Sequence, residues 1–357
     1  MSSDPNAPLL HSAAHLATVV RAIFAAAGSS DREAGLLADH LVGANLRGHD
    51  SHGIGMIPTY VRNAQTGDLR LNETLSVSLD SGSLIMCDGQ AGVGQVMAHD
   101  AIDLGIARAS AQGACILGLR NSHHIGRIGH WAEQCTAAGL VSIHFVNVVS
   151  EPSVAPFGGT RPRVGTNPFA VGIPRPDGPP IIVDFATSRW AVGKVRVAFN
   201  KGDPVPEGTL LDASGQPTTD PATLFADPPG ALLPFGEHKG WGLALACELL
   251  GAALTGGKTQ SGPRRSGSVI NAMLSIVIAP DKLGTSETFG PEIEAFLAWA
   301  QSEASQASRT SGILLPGDPE RATLQQRLRD GIPVDPTTWE QILVAGESVG
   351  LSRSDLT

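Results

Sequence analysis

Residues 84–97, LIMCDGQAGVGQVM, decide the class of fold. Leu84–Cys87 reads as a short apolar strand, and a helix is expected over about Gln95–Ala111. Between them, Gly92-Val93-Gly94-Gln95 begins like the glycine turn that cradles a dinucleotide pyrophosphate. That motif needs a third glycine where the helix packs on the strand, and Met97 stands there. It also needs an acidic residue at the end of a second strand about 20 residues on, and none is placed so. The glycines therefore read as a tight strand-to-helix turn, and the fold expected is not a Rossmann fold.

Working outward, further strands are expected at Ala114–Leu119, Val141–Val149, Phe169–Ile173, Ile181–Asp184 and Val269–Ala279, with a glycine-laced helix from about Gly240 to Leu254. The chain ends differ from this middle. Leu16, Val19, Val20, Ile23, Phe24 and Ala27 line one helix face, and Gly28 stops that helix. Ser30 with Glu33 forms a capping box for a second helix, which carries Leu37, Leu41 and Ala44 inward and ends at Gly48. Near the other end, Pro291 opens a helix with Ile293, Phe296, Leu297 and Ala300 on one face. Asp318-Pro319 caps another that Gly331 closes, and Asp335-Pro336 starts a last one with Trp339, Ile342 and Leu343 inward. The expectation is an α/β fold of the α+β type: a non-Rossmann α/β unit over 76–284 and a discontinuous helical subdomain from 1–75 and 285–357. The stretch 201–234 reads as long loops, and 260–267 as a surface loop.

Composition narrows the function. The 357 residues carry 25 Lys+Arg against 34 Asp+Glu, a net charge of -9. Nucleic acids and anionic membranes call for basic patches, so neither is the expected partner. No run of about 18 apolar residues suggests a membrane span, and MSSDPNAPLL lacks the basic-then-apolar pattern of a secretory signal. Cys87, Cys115, Cys135 and Cys247 form no CxxC pair and read as buried thiols of a reducing, cytoplasmic compartment. The 42 glycines against one tyrosine suit tight turns and close backbone approaches. Gly257-Lys258-Thr259 resembles the end of a phosphate loop, but Ala252 holds the earlier glycine position. No GxSxG elbow or HExxH helix occurs.

Three histidine groups stand out. Gly48-His49-Asp50-Ser51-His52-Gly53 sets two histidines, an aspartate and a serine at a helix end. Histidine moves protons near neutral pH, and Ser51 is placed to orient His52; the plain alternative is a polar helix cap. Asn121-Ser122-His123-His124-Ile125-Gly126-Arg127-Ile128-Gly129 follows a buried strand, where α/β proteins build sites; the alternative is a satisfied loop. Glu237-His238-Lys239-Gly240 opens the glycine-laced helix, a place for a phosphate or carboxylate or an ordinary charged cap. Gly165-Thr166-Asn167-Pro168 and Asp184-Phe185-Ala186-Thr187-Ser188 add small polar groups. The histidines with Asp50 are also a candidate metal set, which keeps a metal-dependent hydrolase or lyase as the alternative, and a non-catalytic nucleotide-binding protein as a third reading. No metal is expected on the preferred reading.

Taken together, GHDSHGIGMIPTYV, NSHHIGRIGHWAEQC, GTNPF, DFATS, EHKGWGLAL and ILLPGD resemble, in this order, the malate/L-lactate dehydrogenase family that lacks a Rossmann fold. The resemblance covers nearly the whole chain. It implies NAD- or NADP-dependent interconversion of a 2-oxo acid and a 2-hydroxy acid. It also implies a homodimer whose partner helps shape the cleft. His52 matches the proton donor, Ser51 its assistant, and His124 a second acid/base candidate. His52 and His124, Ile125, Gly126, Arg127 and Ile128 match cofactor-binding positions, as do Asp184, Phe185, Ala186, Thr187 and Ser188. So do His238, Lys239, Leu315, Pro316, Gly317 and Asp318. Where many members carry an arginine four residues after the active histidine, this chain has Met56. Carboxylate recognition then falls to Arg62 or Arg127, and Met56, Arg62, Thr166 and Asn167 are the substrate candidates. Lys194 replaces an aspartate of the imine reductases, which favours carbonyl chemistry. The sole tyrosine, Tyr60, gains no ground as the acid, and histidine is left as proton carrier.

Overall fold

The computed structural model describes residues 8–262, 267–302 and 313–357. Residues 263–266 of the expected surface loop, and 1–7 of the N-terminal stretch, lie outside the described residues. In chain order the elements are β1 (Leu9–His11), α1 (Ala13–Ala26), α2 (Asp31–Leu46), α3 (Ile57–Thr66), β2 (Ser76–Ser81), β3 (Leu84–Asp88), α4 (Gly94–Gln112), β4 (Ala114–His123), α5 (Gly129–Ala137), β5 (Val141–Val149), β6 (Phe169–Ile173), β7 (Ile181–Phe185) and α6 (Val192–Lys201). There follow β8 (Leu210–Leu211), β9 (Pro217–Thr218), β10 (Ala231–Leu232), α7 (His238–Glu248), β11 (Ile270–Ile278), α8 (Ser286–Ser302), α9 (Asp318–Asp330), β12 (Ile332–Val334) and α10 (Pro336–Ser348).

Seven strands form one mixed sheet in the order β2-β3-β4-β11-β5-β6-β7, in which only β3 and β4 run parallel. A sheet so rich in antiparallel pairs is not doubly wound, as the broken glycine motif predicts. Helices α4 and α5 cover one face, while α7 and the π turn Leu249–Ala253 lie against β5 and β11. Cross-strand partners share a face. The row Leu84, Ile116, Ile276, Ile143, Val171 and Val183 therefore runs across the face away from α4. Leu84 and Ile116 in it are 42% and 41% exposed.

The two chain ends meet. Leu9, Leu10 and His11 pair antiparallel with Val334, Pro333 and Ile332, and α1 touches α10. Leu16, Ile23, Leu41, Ile85, Leu117, Ile342 and Leu343 belong to one buried cluster, so the terminal helices and the sheet share a core. A second cluster of Val154, Val164, Val195, Leu210, Leu224 and Leu232 lies under α6 and the small β10-β8-β9 sheet.

Several elements depart from expectation. The capping box of α2 is half made: the Glu33 backbone N–H donates to the Ser30 hydroxyl. The Glu33 carboxylate, however, takes Ser29 (2.7 Å) and the Asn72 N–H (2.9 Å) instead of Ser30. β4 continues four residues past Leu119, and α8 starts at Ser286 with Pro291 inside it. Gly317, not Asp318, caps α9, because the Asp318 carboxylate is held by the Leu315 N–H and Arg321. Of the face formed by Ile293, Phe296, Leu297 and Ala300 on α8, Leu297 is buried and Phe296 is 61% exposed. The expected loop 201–234 contains three two-residue strands.

Candidate active site

The histidine loop is built at the end of α2. Two 3-10 turns, Asp50–His52 and Ile54–Met56, lead directly into α3. Asn45 pins them: its Nδ2 donates to Asp50 Oδ1 (2.6 Å), and its Oδ1 accepts the Ile54 N–H (2.8 Å). From α9, Arg327 grips the Asp50 carboxylate with both terminal nitrogens (2.6 and 3.0 Å), and Glu320 pairs with His49 at 3.4 Å. A planar guanidinium fork of this kind fixes orientation as well as charge. Ser51 packs against Gly193 at the start of α6, where a side chain would overlap its Cβ. Burial, with positive charge from His49 and Arg127, lowers His52 to about 4, so the imidazole is neutral at neutral pH. Its Nδ1 is buried without a hydrogen-bond partner.

The second arm is the exit of β4. The extra residues of that strand carry His123 and His124 into the interior. Gly94 makes this possible, because any Cβ there would collide with the backbone carbonyls of His123 and His124. The glycine of the broken dinucleotide motif serves a protein backbone. The His124 ring lies 5.5 Å from that of His52. The Tyr60 hydroxyl, from α3, is hydrogen-bonded to His124 Nδ1 at 2.5 Å, and Asn63 Nδ2 donates to His123 Nε2 at 3.0 Å. Burial lowers His123 to about 4 and His124 well below the usual histidine value. Asn271 accepts the Ile125 N–H (2.9 Å), and Ile125 and Ile128 are themselves buried in the core. Gly126 has φ +73°, and His40 fills the space a side chain would need while accepting the Arg127 N–H at 2.9 Å.

A cavity of ≈190 Å³ is lined by Arg47, Arg127, Asp184, Gly317, Glu320 and Arg321 among others; His52 and His124 are not in its wall, and it is linked to the two arms through Arg127 and through Glu320, which pairs with His49. Arg127 is 2% exposed and bonds Glu133 (2.6 Å), which also takes Arg47 (3.0 Å). Asp184 accepts the Gly129 N–H at 2.8 Å, 3.9 Å from Arg127; burial raises its carboxyl while Arg127 opposes that. The Ile182 N–H donates to the Pro316 carbonyl, so Leu315-Pro316-Gly317-Asp318 lies along β7. Of the residues singled out from sequence, the cavity thus gathers Arg127, Asp184 and Gly317.

Others sit apart from it. Phe185 is 37% exposed and meets Phe235 edge-on at 5.4 Å, while Ala186 is half-buried. Thr187 spends its hydroxyl on the carbonyls of Thr166 and Asn167, and Ser188 bonds the Trp190 carbonyl. The Asn167 side chain is engaged by Val148, Ala244 and Glu248. His238 and Lys239 are exposed at the start of α7, His238 against Phe157. Met56 is half-buried on the main core, and Arg62 is exposed on α3. Sequence reasoning missed Tyr60, Gln95, Asn63, Asn45, His40, Arg47 and Arg327. For Tyr60 a signal existed: Ile57, Tyr60, Val61 and Ala64 fall at the spacing of one helix face.

The site thus combines neutral buried histidines able to move a proton with a nearby cavity of guanidinium and carboxylate groups, on a mixed non-Rossmann sheet. The family described as Malate/L-lactate dehydrogenase matches residues 11–343, and the chain belongs to that family. It is similar to hydroxycarboxylate dehydrogenase B of Escherichia coli (strain K12), 48% identical over 347 residues, which cover 96% of this chain and 94% of that protein. The L-lactate dehydrogenase of Cupriavidus necator is 37% identical, covering 88% and 91%. A solved structure from E. coli superposes with a TM-score of 0.93 at 46% identity, covering 98% and 97%. Membership makes the chain a hydroxy-acid dehydrogenase and implies a nicotinamide cofactor. The hydrolase or lyase alternative finds no support: Asp50 is held by Arg327, and among the described residues no three His, Cys, Asp or Glu side chains group as metal ligands. No described helix is long and apolar enough to cross a membrane.

Proposed function

We propose that this protein reduces a 2-oxo acid to a 2-hydroxy acid, reversibly, with NADH or NADPH, and that His52 carries the proton. The observation that supports this most is the pairing of the buried rings of His52 and His124, 5.5 Å apart. The cavity's groups are of the kinds that hold such a cofactor, since guanidinium N–H groups match phosphate oxygens and carboxylates match ribose hydroxyls. Arg127, Asp184 and Gly317 would hold it, with His124 to Ile128, Asp184 to Ser188, His238, Lys239 and Leu315 to Asp318 as the wider contact set. When bound, the nicotinamide supplies or takes the hydride.

The chain's own residues handle the proton. Kept neutral by burial, His52 is ready to accept the hydroxyl proton of a 2-hydroxy acid. In the reducing direction, a substrate carboxylate arriving nearby raises its proton affinity against the effect of burial. It then protonates the forming alkoxide. Ser51, braced by α6, steadies the His52 ring. Met56 gives the substrate side chain an apolar contact, and Arg62, Arg127 and Thr166 are the candidates for its polar end, the Asn167 amide being spent on Val148, Ala244 and Glu248.

The same reading takes 1–75 with 285–357 as one unit around 76–284, supported by the β1–β12 pairing, although α8 is tied instead to the 76–284 unit, through the pair of Glu294 with Arg175 beyond β6. It takes the open apolar sheet face through Ile116 and Ile143 as the seat of a second copy in a homodimer. Four free, buried cysteines support a reducing, cytoplasmic setting. The test is oxidation of NADH or NADPH, followed by loss of near-ultraviolet absorbance, with pyruvate, oxaloacetate, 2-oxoglutarate and phenylpyruvate. Turnover with one or more is expected, and silence with all of them counts against the reading.

A further inference from the structure

We propose that Tyr60, steadied by Gln95, is a positioning residue that fixes the tautomer of His124, so that His124 presents an Nε2–H donor toward the reaction site. This rests on the functional reading above. Tyr60 and Gln95 come from α3 and α4, His124 is the residue just after β4, and they are 1%, 1% and 9% exposed. A phenol has one proton to give. Gln95 Nε2 already donates to the Tyr60 oxygen at 3.0 Å, so the phenol proton is directed to His124 Nδ1 at 2.5 Å. Burial raises the phenol above its ordinary value, so it keeps that proton throughout the working pH range.

With Nδ1 accepting, a neutral His124 must carry its proton on Nε2. The groups facing His124 are His52 from the 3-10 turn, His123 from its own strand, Tyr60 from α3 and His40 from α2. No carboxylate is among them, and the neighbouring histidines oppose a positive ring. His124 therefore acts as a neutral hydrogen-bond donor to a carbonyl oxygen, while His52, whose Nδ1 has no partner, is left to exchange the proton. Two histidines of similar burial thus receive different tasks from their hydrogen-bond partners.

Tyr60→Phe keeps the ring and removes the donor. Its kcat should fall roughly 10–100-fold, the effect of one buried hydrogen bond acting in the transition state, with KM for NADH unchanged. The pH profile of kcat should change in Tyr60→Phe, since His124 is then free to exchange tautomers. Gln95→Leu, which leaves the phenol donor in place, should cost less. Nitrogen NMR of ¹⁵N-histidine-labelled protein reads the tautomer without turnover: the wild type should show His124 protonated on Nε2, and Tyr60→Phe a mixture. If the wild type shows Nδ1–H, or if Tyr60→Phe keeps both kcat and pH profile, the inference is overturned. A wild type that oxidises neither cofactor with any 2-oxo acid overturns the functional reading instead, whatever the NMR shows. Should Tyr60→Phe not fold, the wild-type NMR result alone decides.

Discussion

Gly94→Ala should damage both stability and turnover, and the structure gives the scale. A Cβ at Gly94 would lie 2.1 Å from the His124 carbonyl oxygen and 2.4 Å from that of His123. Both opposing atoms are backbone, so no side chain can swing aside. Relief requires a shift of about 1 Å in α4 or in the end of β4, since ordinary carbon–oxygen contact needs well over 3 Å. Neither moves freely: Val93, Val96 and Met97 are buried in the main core, and the His123 N–H donates to the Gly92 carbonyl. Overpacking of this kind costs about 1–3 kcal/mol, and more against backbone. A reacting group misplaced by about 1 Å loses about 100-fold in rate. The variant should therefore unfold at lower denaturant with unchanged slope, and its kcat should fall about 100-fold. Gly139→Ala is the contrast: φ is +76° with nothing within 4 Å of the new Cβ, so it should cost about 1–2 kcal/mol of stability and no activity. A Gly94→Ala protein with wild-type midpoint and kcat would refute the account of why β4 ends where it does.

Three further outcomes are expected. Arg327→Ala leaves Asp50 held by Asn45 alone and loosens the turn, so kcat should drop about 10-fold or more while far-ultraviolet circular dichroism stays unchanged; unaltered kinetics would show that α9 does not hold the loop. Buried His52, His123, His130 and His144 are lowered to about 4, 4, 3 and 3, whereas an unfolded histidine titrates near 6.5. The unfolded state binds their protons first, so their stabilisation is complete above about pH 6.5 and is lost as pH falls toward 3; thermal melts should show Tm declining through that window, and a flat Tm would contradict it. Asn167→Ala strips partners from buried Glu248, Val148 and the Ala244 carbonyl, and should cost about 2–4 kcal/mol in denaturant unfolding. A change under about 1 kcal/mol would return Asn167 to the substrate contacts.

Most strands and the outer helices were legible because their apolar spacing is strong. Val141–Val149 and Phe169–Ile173 were expected at the bounds the structure gives them. β2 escaped although Ser76-Val77-Ser78-Leu79-Asp80 alternates polar and apolar, a short pattern with only two apolar residues, and all six of its residues are exposed on a sheet edge. The polar end of β4 looked like loop because Asn121-Ser122-His123 is held by tertiary partners such as Asn63, which lie far off in sequence. The same distance hid the role of Tyr60: it lies eight positions from His52, yet its hydrogen-bond partner is 64 positions away. Asp50 shows the converse, a residue whose local company suggests chemistry but whose carboxylate is taken by an arginine 277 positions later.

The central claim is that His52 moves the proton. His52→Asn keeps a polar side chain of similar reach and removes the titrating group. It should lower kcat for 2-oxo acid reduction by about 10²–10⁴-fold while NADH still binds, as read by quenching of protein fluorescence. Near-normal turnover in that variant would contradict the account and move the proton to His124.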